Sequence, residues 1–255
     1  MTSLSVIIIA KNESTDIRAC LDSVRWAGEI VVVDGGSRDD TVAICREYTD
    51  KVYIFEDWSG FGPQKNRALS YATGEWVLSV DADERVSPAL RKEIEHAMVS
   101  ERFVGYEIPR RSSYCGRVLR HGGWWPDHVL RLFKREQGRF CNRRVHEKVI
   151  MKGPLGRLQE PLIHETYGSL EEVLDKINSY SGEGAQLLRE QGKRGGLGAA
   201  LAHGLWAFIR TYFLKAGLLD GREGFMLAIS NAEGTYYRYL KLAYLPDRKE
   251  RSDSE

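Results

Sequence analysis

Four times in its first 81 residues this chain returns to one pattern, an apolar run short enough for a strand followed by a polar stop. Leu4-Ser5-Val6-Ile7-Ile8-Ile9-Ala10 is almost continuously apolar, as expected of a parallel strand buried on both faces. Residues 29–33, 52–55 and 76–80 carry the next three runs. Between the first two, Ile17, Cys20, Leu21 and Val24 fall at i, i+3, i+4 and i+7, one face of a helix that stops near Gly28. A second helix carries Val42, Ile44, Cys45 and Tyr48, with Ser37 and Asp40 spaced as a capping box ahead of it. A third runs to about Tyr71 with Pro63 as its first residue. Strands and helices alternating this closely imply right-handed crossovers and an α/β fold, a Rossmann-like, doubly wound, mostly parallel sheet.

The polar stops are where chemistry is expected, because ligands of open α/β sheets sit outside the carboxyl ends of the strands. They read Lys11-Asn12-Glu13, Asp34-Gly35-Gly36-Ser37 and, after the fourth run, Asp81-Ala82-Asp83. Two carboxylates two residues apart can both approach one hard cation, or divide a cation and a hydroxyl between them. Mg2+ or Mn2+ held by one or two carboxylates completes its shell with water and substrate phosphates. Asp81 and Asp83 therefore stand where a nucleotide diphosphate and its metal are expected. Neither a G-x-G-x-x-G after the first strand nor a P-loop occurs, so a nucleotide would be read by side chains at strand ends. Asp34 can accept from a base N–H or a ribose hydroxyl, with Asn12 and Glu13 as alternatives. It can equally cap its own tight turn.

Composition removes some classes. A net charge of +1 over 255 residues makes no case for a nucleic-acid partner. Cys20, Cys45, Cys115 and Cys141 lie far apart with no C-x-x-C pair, which argues against a zinc site or disulfide framework and fits a reducing compartment. The N-terminus enters a strand with no basic-then-apolar leader, so a signal peptide is not expected.

Ile7-Ile8-Ile9-Ala10-Lys11-Asn12-Glu13, Val31-Val32-Val33-Asp34-Gly35-Gly36-Ser37-x-Asp39-x-Thr41, Gln64-Lys65-Asn66-Arg67-Ala68-Leu69 and Asp81-Ala82-Asp83 come in one order. In order and spacing they resemble the family 2 glycosyltransferases, inverting enzymes of the GT-A fold. The resemblance covers about the first 85 residues densely. It implies that Asp34 reads the nucleotide base and that Asp81 contacts nucleotide or sugar. It also implies that Asp83 ligates Mg2+ or Mn2+, and that Lys65 and Arg67 lie near the donor.

Past Asp83, Ser87-Pro88 opens a helix with Leu90, Ile94, Ala97 and Met98 on one face. Residues 104–109 and 129–133 read as strands around a Gly- and aromatic-rich loop, His121 to His128. Trp124 and Trp125 in that loop suit stacking on a sugar face, and packing on the protein's own core would suit them as well. In Arg143-Arg144-Val145-His146-Glu147, Glu147 is a suitable base for an acceptor hydroxyl, with His146 as base or orienting neighbour. Arg144 joins the two tryptophans as an acceptor-side candidate. The His-Glu pair is similar to that of bacterial enzymes that add β-glucose to the lipopolysaccharide inner core. The Q-x-x-R-W motif of processive synthases does not occur, which favours a single addition. His164, ending another apolar stretch, could complete the metal's coordination or cap its strand.

Ser169 and Glu172 form a capping box for a helix with Leu170, Val173, Leu174, Ile177 and Tyr180 on one face. After Lys193-Arg194-Gly195-Gly196, residues 197–219 are apolar and aromatic but interrupted by His203, Arg210 and Lys215. Charges inside the stretch disfavour a membrane span and fit a basic amphipathic helix lying at a membrane surface, or packing on a subunit or core. Gly221 and Gly224 break the pattern before a last helix, and residues 246–255 read as a disordered tail. The expected organisation is a catalytic domain over 1–168 and a helical appendage over 169–245. The expected activity is metal-dependent, inverting transfer of one sugar, UDP-glucose being the expected donor, to a lipid-linked acceptor such as lipopolysaccharide core. Such a protein would be cytoplasmic, peripheral on the inner face of the cytoplasmic membrane. The alternatives are a sugar-phosphate nucleotidyltransferase and a non-catalytic, membrane-bound nucleotide-sugar scaffold.

Overall fold

β1 (Leu4–Ala10) is central because both its faces are apolar. Val6 and Ile8 point into one core and Ile7 into another, the period-2 alternation of a strand covered on both sides. The computed structural model describes residues 3–100, 102–141 and 148–246. Around β1 the chain builds α1 (Ile17–Val24), β2 (Glu29–Asp34), α2 (Thr41–Arg46), β3 (Val52–Ile54), α3 (Phe61–Tyr71), β4 (Trp76–Asp81), β5 (Glu84–Val86) and α4 (Pro88–Val99). It continues with β6 (Gly105–Tyr114), β7 (Arg117–Val118), β8 (Asp127–Lys134), β9 (Gly138–Phe140), β10 (Val149–Met151), β11 (Leu155–Arg157) and β12 (Leu162–Tyr167). Three long helices follow, α5 (Leu170–Glu190), α6 (Leu197–Ile209) and α7 (Gly221–Tyr244).

The sheet runs β3-β2-β1-β4-β8-β6-β12-β5, and its first four strands are parallel. α1 and α4 supply one core with Leu21, Val24, Leu90 and Ile94, while α3 supplies the other with Ala68. β8 enters antiparallel to β4 and β6. By internal packing the chain forms two units, Met1–Arg111 with Pro126–His164 (the sheet unit) and Ser112–Trp125 with Glu165–Glu255 (the helical unit). The loop bearing Trp124 and Trp125 thus groups with the C-terminal helices, and the transition falls within β6 and β12.

Several local expectations change. The hydroxyl of Ser37 caps no helix. It donates to Asp34 and accepts the Asn12 N–H at 2.8 Å, while Asp39 accepts the Thr41 N–H at 3.1 Å. Pro63 is the third residue of α3, since Gly60 with φ +114° lets the chain turn in two residues earlier. Ser87 does cap α4, its hydroxyl accepting the Leu90 N–H at 3.1 Å.

In the helical unit, Ser169 accepts the Glu172 N–H at 3.2 Å and starts α5. The buried stripe of α5 is Val173, Ser181 and Ala185 rather than the larger Leu170, Leu174 and Tyr180, which stay exposed. Small residues there let α7 approach, and Lys241 of α7 reaches Asn178 and Ser181. His203 does not break α6. Its ring stacks on Tyr239 of α7 at 4.1 Å. The break comes at Ala216, which takes φ +54°, and Gly221 and Gly224 lie inside the first turns of α7. At Gly224 a Cβ would overlap the Gly217 carbonyl, so the residue is required by close approach.

Candidate active site

Register fixes the frame of the site. Ala10 lies opposite Asp34 and Ile9 opposite Asp81, so the two carboxylates flank the end of β1. With strands about 4.8 Å apart, they are roughly 10 Å apart across the sheet. The loops between are tied together. Asn12, at φ +57°, accepts the Arg38 N–H at 2.9 Å, and the Glu13 N–H reaches Thr41 Oγ1 at 2.8 Å. Asp34 is buried, and its Oδ1 accepts the N–H groups of Gly36 and Ser37 at 2.9 and 2.8 Å. Its carboxylate therefore organises its own turn.

Asp81 is clamped. Its Oδ1 takes the Lys65 ammonium at 2.8 Å and its Oδ2 the Arg131 guanidinium. Arg131 also binds Glu84 Oε1 at 2.7 Å, and Glu84 Oε2 accepts the Asp81 N–H at 3.0 Å. Lys65 and Arg131 are almost wholly buried, and Glu84 is 0% exposed. Burial alone would push the Asp81 carboxyl up, but Arg131 and then Lys65 hold it well below the usual carboxylate range. Burial pushes Glu84 up, against the pull of Arg131 and with the repulsion of Asp81. Asp81 is thus an ionised group with both oxygens engaged, fixed at the strand end.

Asp83, two residues on, sits outside this clamp. Its side chain is 25% exposed, and its Oδ2 lies 3.3 Å from Nε2 of His164, which is 12% exposed. β12 lies antiparallel to β5, with His164 opposite Glu84, and this pairing brings the histidine to the D-x-D turn. Among the described residues no group of three or more His, Cys, Asp and Glu side chains could enclose a metal. One carboxylate and one imidazole fit a cation that takes its other ligands from water and substrate phosphates.

Arg67 points elsewhere. It pairs with Asp57, donates to Gln64 Oε1 at 3.0 Å, and lies 4.6 Å over the Phe55 ring. Two residues along a helix turn the side chain by about 200°, so Arg67 and Lys65 leave α3 on different sides. Trp124 packs with Tyr114 and Tyr167 at 5.9 Å each, while Trp125 is exposed. Arg144, His146 and Glu147 lie outside the described residues. The groups missed from sequence are Glu84, Arg131 and the Arg110–Asp127 pair, which meets at 2.9 Å beside Glu84. Arg131 left one signal, a charge in the middle of the apolar run Val129-Leu130-Arg131-Leu132-Phe133.

Residues 5–150 match the model of Glycosyl transferase family 2. The chain is similar to the lipopolysaccharide core biosynthesis glycosyltransferase LpsC of Rhizobium meliloti, 32% identical over 96% of this chain and 92% of the relative. It is equally similar, at 32% over 97% and 88%, to the uncharacterized glycosyltransferase RP128 of Rickettsia prowazekii. Among solved structures, S. aureus TarS 1–349 superposes with a TM-score of 0.50 at 18% identity, over 92% of this chain and 91% of that one. Its complex with UDP-GlcNAc gives 0.51 at 15% identity, over 95% and 91%. That likeness carries the fold, α/β of GT-A type with C-terminal helices.

Proposed function

The chain belongs to glycosyl transferase family 2 and is a glycosyltransferase, and from that premise we propose that it moves one glucose from UDP-glucose to a lipid-linked saccharide of the lipopolysaccharide core. The name of the Rhizobium relative supports the acceptor. Transfer proceeds with inversion: an acceptor hydroxyl attacks the anomeric carbon, the bond to the nucleotide diphosphate breaks, and the diphosphate leaves. Glu147 takes the hydroxyl proton, with His146 as its neighbour and Arg144 on the acceptor side. Asn12, Glu13 and Asp34 hold the nucleotide end, and Asp81 with Lys65 fixes the donor side of the pocket.

The observation that carries this reading is the division of labour at the end of β4, where Asp81 is neutralised by two buried cations while Asp83 stays accessible beside His164. Mg2+ or Mn2+ bound through Asp83 and His164 would supply positive charge to the departing diphosphate. Release of free UDP from UDP-glucose should require Mg2+ or Mn2+ and stop in excess chelator. Asp83→Ala should abolish it with an unchanged melting curve, because the side chain is partly exposed at a strand end and its polar contact is with His164. Full turnover in chelator, or in Asp83→Ala, removes the metal from the mechanism.

Glu147→Gln keeps the shape and removes the proton acceptor. Its kcat should fall by ~10²–10⁴-fold with donor Kd nearly unchanged. A wild-type rate in that variant together with a loss in His146→Ala would move the base by one residue. Attachment to the inner face of the cytoplasmic membrane, through the exposed side of α6, completes the proposal. No helix among the described residues is long and apolar enough to cross a membrane.

A further inference from the structure

In the helical unit a cavity of about 330 Å3 opens between α5, α6, α7 and the loop carrying Trp124. Lys176, Arg210, Lys215 and Arg238 line it, and no Asp or Glu does. Lys176 is partly engaged, 3.4 Å from the Thr166 carbonyl and 5.0 Å over the Tyr167 ring. The side chains of Arg210, Lys215 and Arg238 have no hydrogen-bond or ion-pair partner among the described residues, and Arg238 Nε is buried without one. Cations gathered around one space repel each other, and a partnerless buried guanidinium N–H carries a desolvation cost. An anion in the cavity relieves both.

The backbone makes room for this arrangement. A Cβ at Gly184 of α5 would overlap the Arg238 guanidinium, and one at Gly123 would overlap Lys215 Nζ. Arg210 opens a widened helical turn, Arg210–Leu214, closed by the Lys215 N–H on the Arg210 carbonyl at 2.9 Å. Such turns recur at functional sites. The remaining wall carries aromatic and hydroxyl groups of the kind that suit a sugar. Trp124 offers ring surface, and the hydroxyls of the buried Tyr114 and of Ser230 meet at 2.8 Å. The volume is at the small end of ligand pockets.

We propose that this cavity binds a saccharide bearing a phosphate or carboxylate group, with Arg210, Lys215 and Arg238 on the anion and Trp124 along the sugar ring. Guanidinium groups suit this because their fork matches the oxygens of either anion. The reading of a saccharide acceptor supplies only the sugar half of the proposal. The lining supplies the anion half independently.

Calorimetric titration of the full chain with glucose 6-phosphate, glucose and inorganic phosphate tests it. Glucose 6-phosphate should bind saturably and more tightly than either fragment. In Arg210→Met/Arg238→Met its affinity should fall at least about tenfold, the least expected from losing hydrogen bonds to a charged group. If that variant melts early, Lys176→Met/Lys215→Met should give the same loss from the other side of the cavity. Equal affinity in wild type and both variants overturns the assignment, and no gain over inorganic phosphate overturns its sugar half. Phosphatidic acid vesicles as competitor distinguish the sources. Displacement of the sugar phosphate assigns the anion to a lipid headgroup, and no displacement to a soluble or glycan-borne group. UDP release from the donor alone, measured on the same samples, reports on the transferase reading separately, since it needs no acceptor.

Discussion

The clamp of the sheet unit and the cavity of the helical unit treat charge in opposite ways. In the first, the buried cations Lys65 and Arg131 meet Asp81 and Glu84, so the network closes within the chain. In the second, Arg210, Lys215 and Arg238 face a cavity whose lining holds no carboxylate. Apolar surface follows the same division. β1, β2 and β4 of the first unit are covered on both faces, whereas α6 leaves Leu197, Leu201, Leu205 and Trp206 exposed, Leu205 by 62%. Closed charge and closed apolar surface give a rigid frame for a catalytic turn. Open charge and open apolar surface belong to a unit whose partners come from outside.

The sharpest way to break this comparison is to remove one cation from each unit. Arg131→Met leaves Glu84 ionisable and buried with its main partner gone, and losing one member of a buried ion network typically costs ~3–5 kcal/mol. Arg238→Met removes a charge with no carboxylate to strand and keeps the aliphatic stem, so its cost should stay within about 0.5 kcal/mol or turn favourable. Urea unfolding of both variants checks this. Equal losses would mean that the helical unit is as internally balanced as the sheet.

A second test lies at the opposite end of the parallel strands, where β2 begins. Glu29 accepts the Thr73 N–H and hydroxyl at 2.8 and 2.9 Å and also binds Lys51 and Ser5. Burial opposes ionisation, yet Lys51, Ser5 and Thr73 bring its carboxyl down from 4.5 to about 2. A folded value below the unfolded one means that the stabilisation is complete above pH 4.5 and is lost as pH falls toward 2. By linkage it amounts to about 3 kcal/mol. Glu29→Gln should unfold earlier than wild type at pH 7, with the gap closing as pH falls through that window. A gap that persists at pH 2 would assign the loss to shape instead of charge.

What the sequence disclosed follows the same division. Strands buried on both faces read as unbroken apolar runs, and helices with one wet face read by their period, so β1, α1, β2 and β4 stand where expected. The D-x-D turn was legible because its carboxylates end such a run. Its clamp was not, because Arg131 comes from β8 and meets Asp81 and Glu84 only through the pairing of β8 with β4. The same holds for Ser37, whose spacing to Asp40 is that of a cap but whose partners are Asp34 and the Asn12 N–H, 25 residues away. In the helical unit the helical period placed Val173 and Ile177 of α5 correctly but not Leu170, Leu174 and Tyr180, which stay exposed while Ser181 and Ala185 are buried.

The smallest expected effect concerns the exposed side of α6. Trp206 and Phe213 are each more than half exposed, so Trp206→Ala/Phe213→Ala should not carry the ~3–5 kcal/mol loss of a core aromatic, and its melting curve should stay close to wild type. If the exposed side of α6 lies on a bilayer, the double variant should nevertheless float less with anionic vesicles, because buried apolar area supplies the salt-independent part of binding. The electrostatic part is smaller than the count of basic residues suggests. Arg210 and Lys215 are exposed but line the cavity, so Lys193 and Arg194, ahead of α6, are the exposed cations of this segment that lie outside it. At about 1 kcal/mol for each basic residue near the surface, raising salt should weaken flotation by roughly 2 kcal/mol and then level off. Lys193→Gln/Arg194→Gln should remove that salt dependence and leave the plateau. A protein that never floats, and whose sedimentation mass falls to a single chain in Trp206→Ala/Phe213→Ala, would give the α6 face to a second subunit.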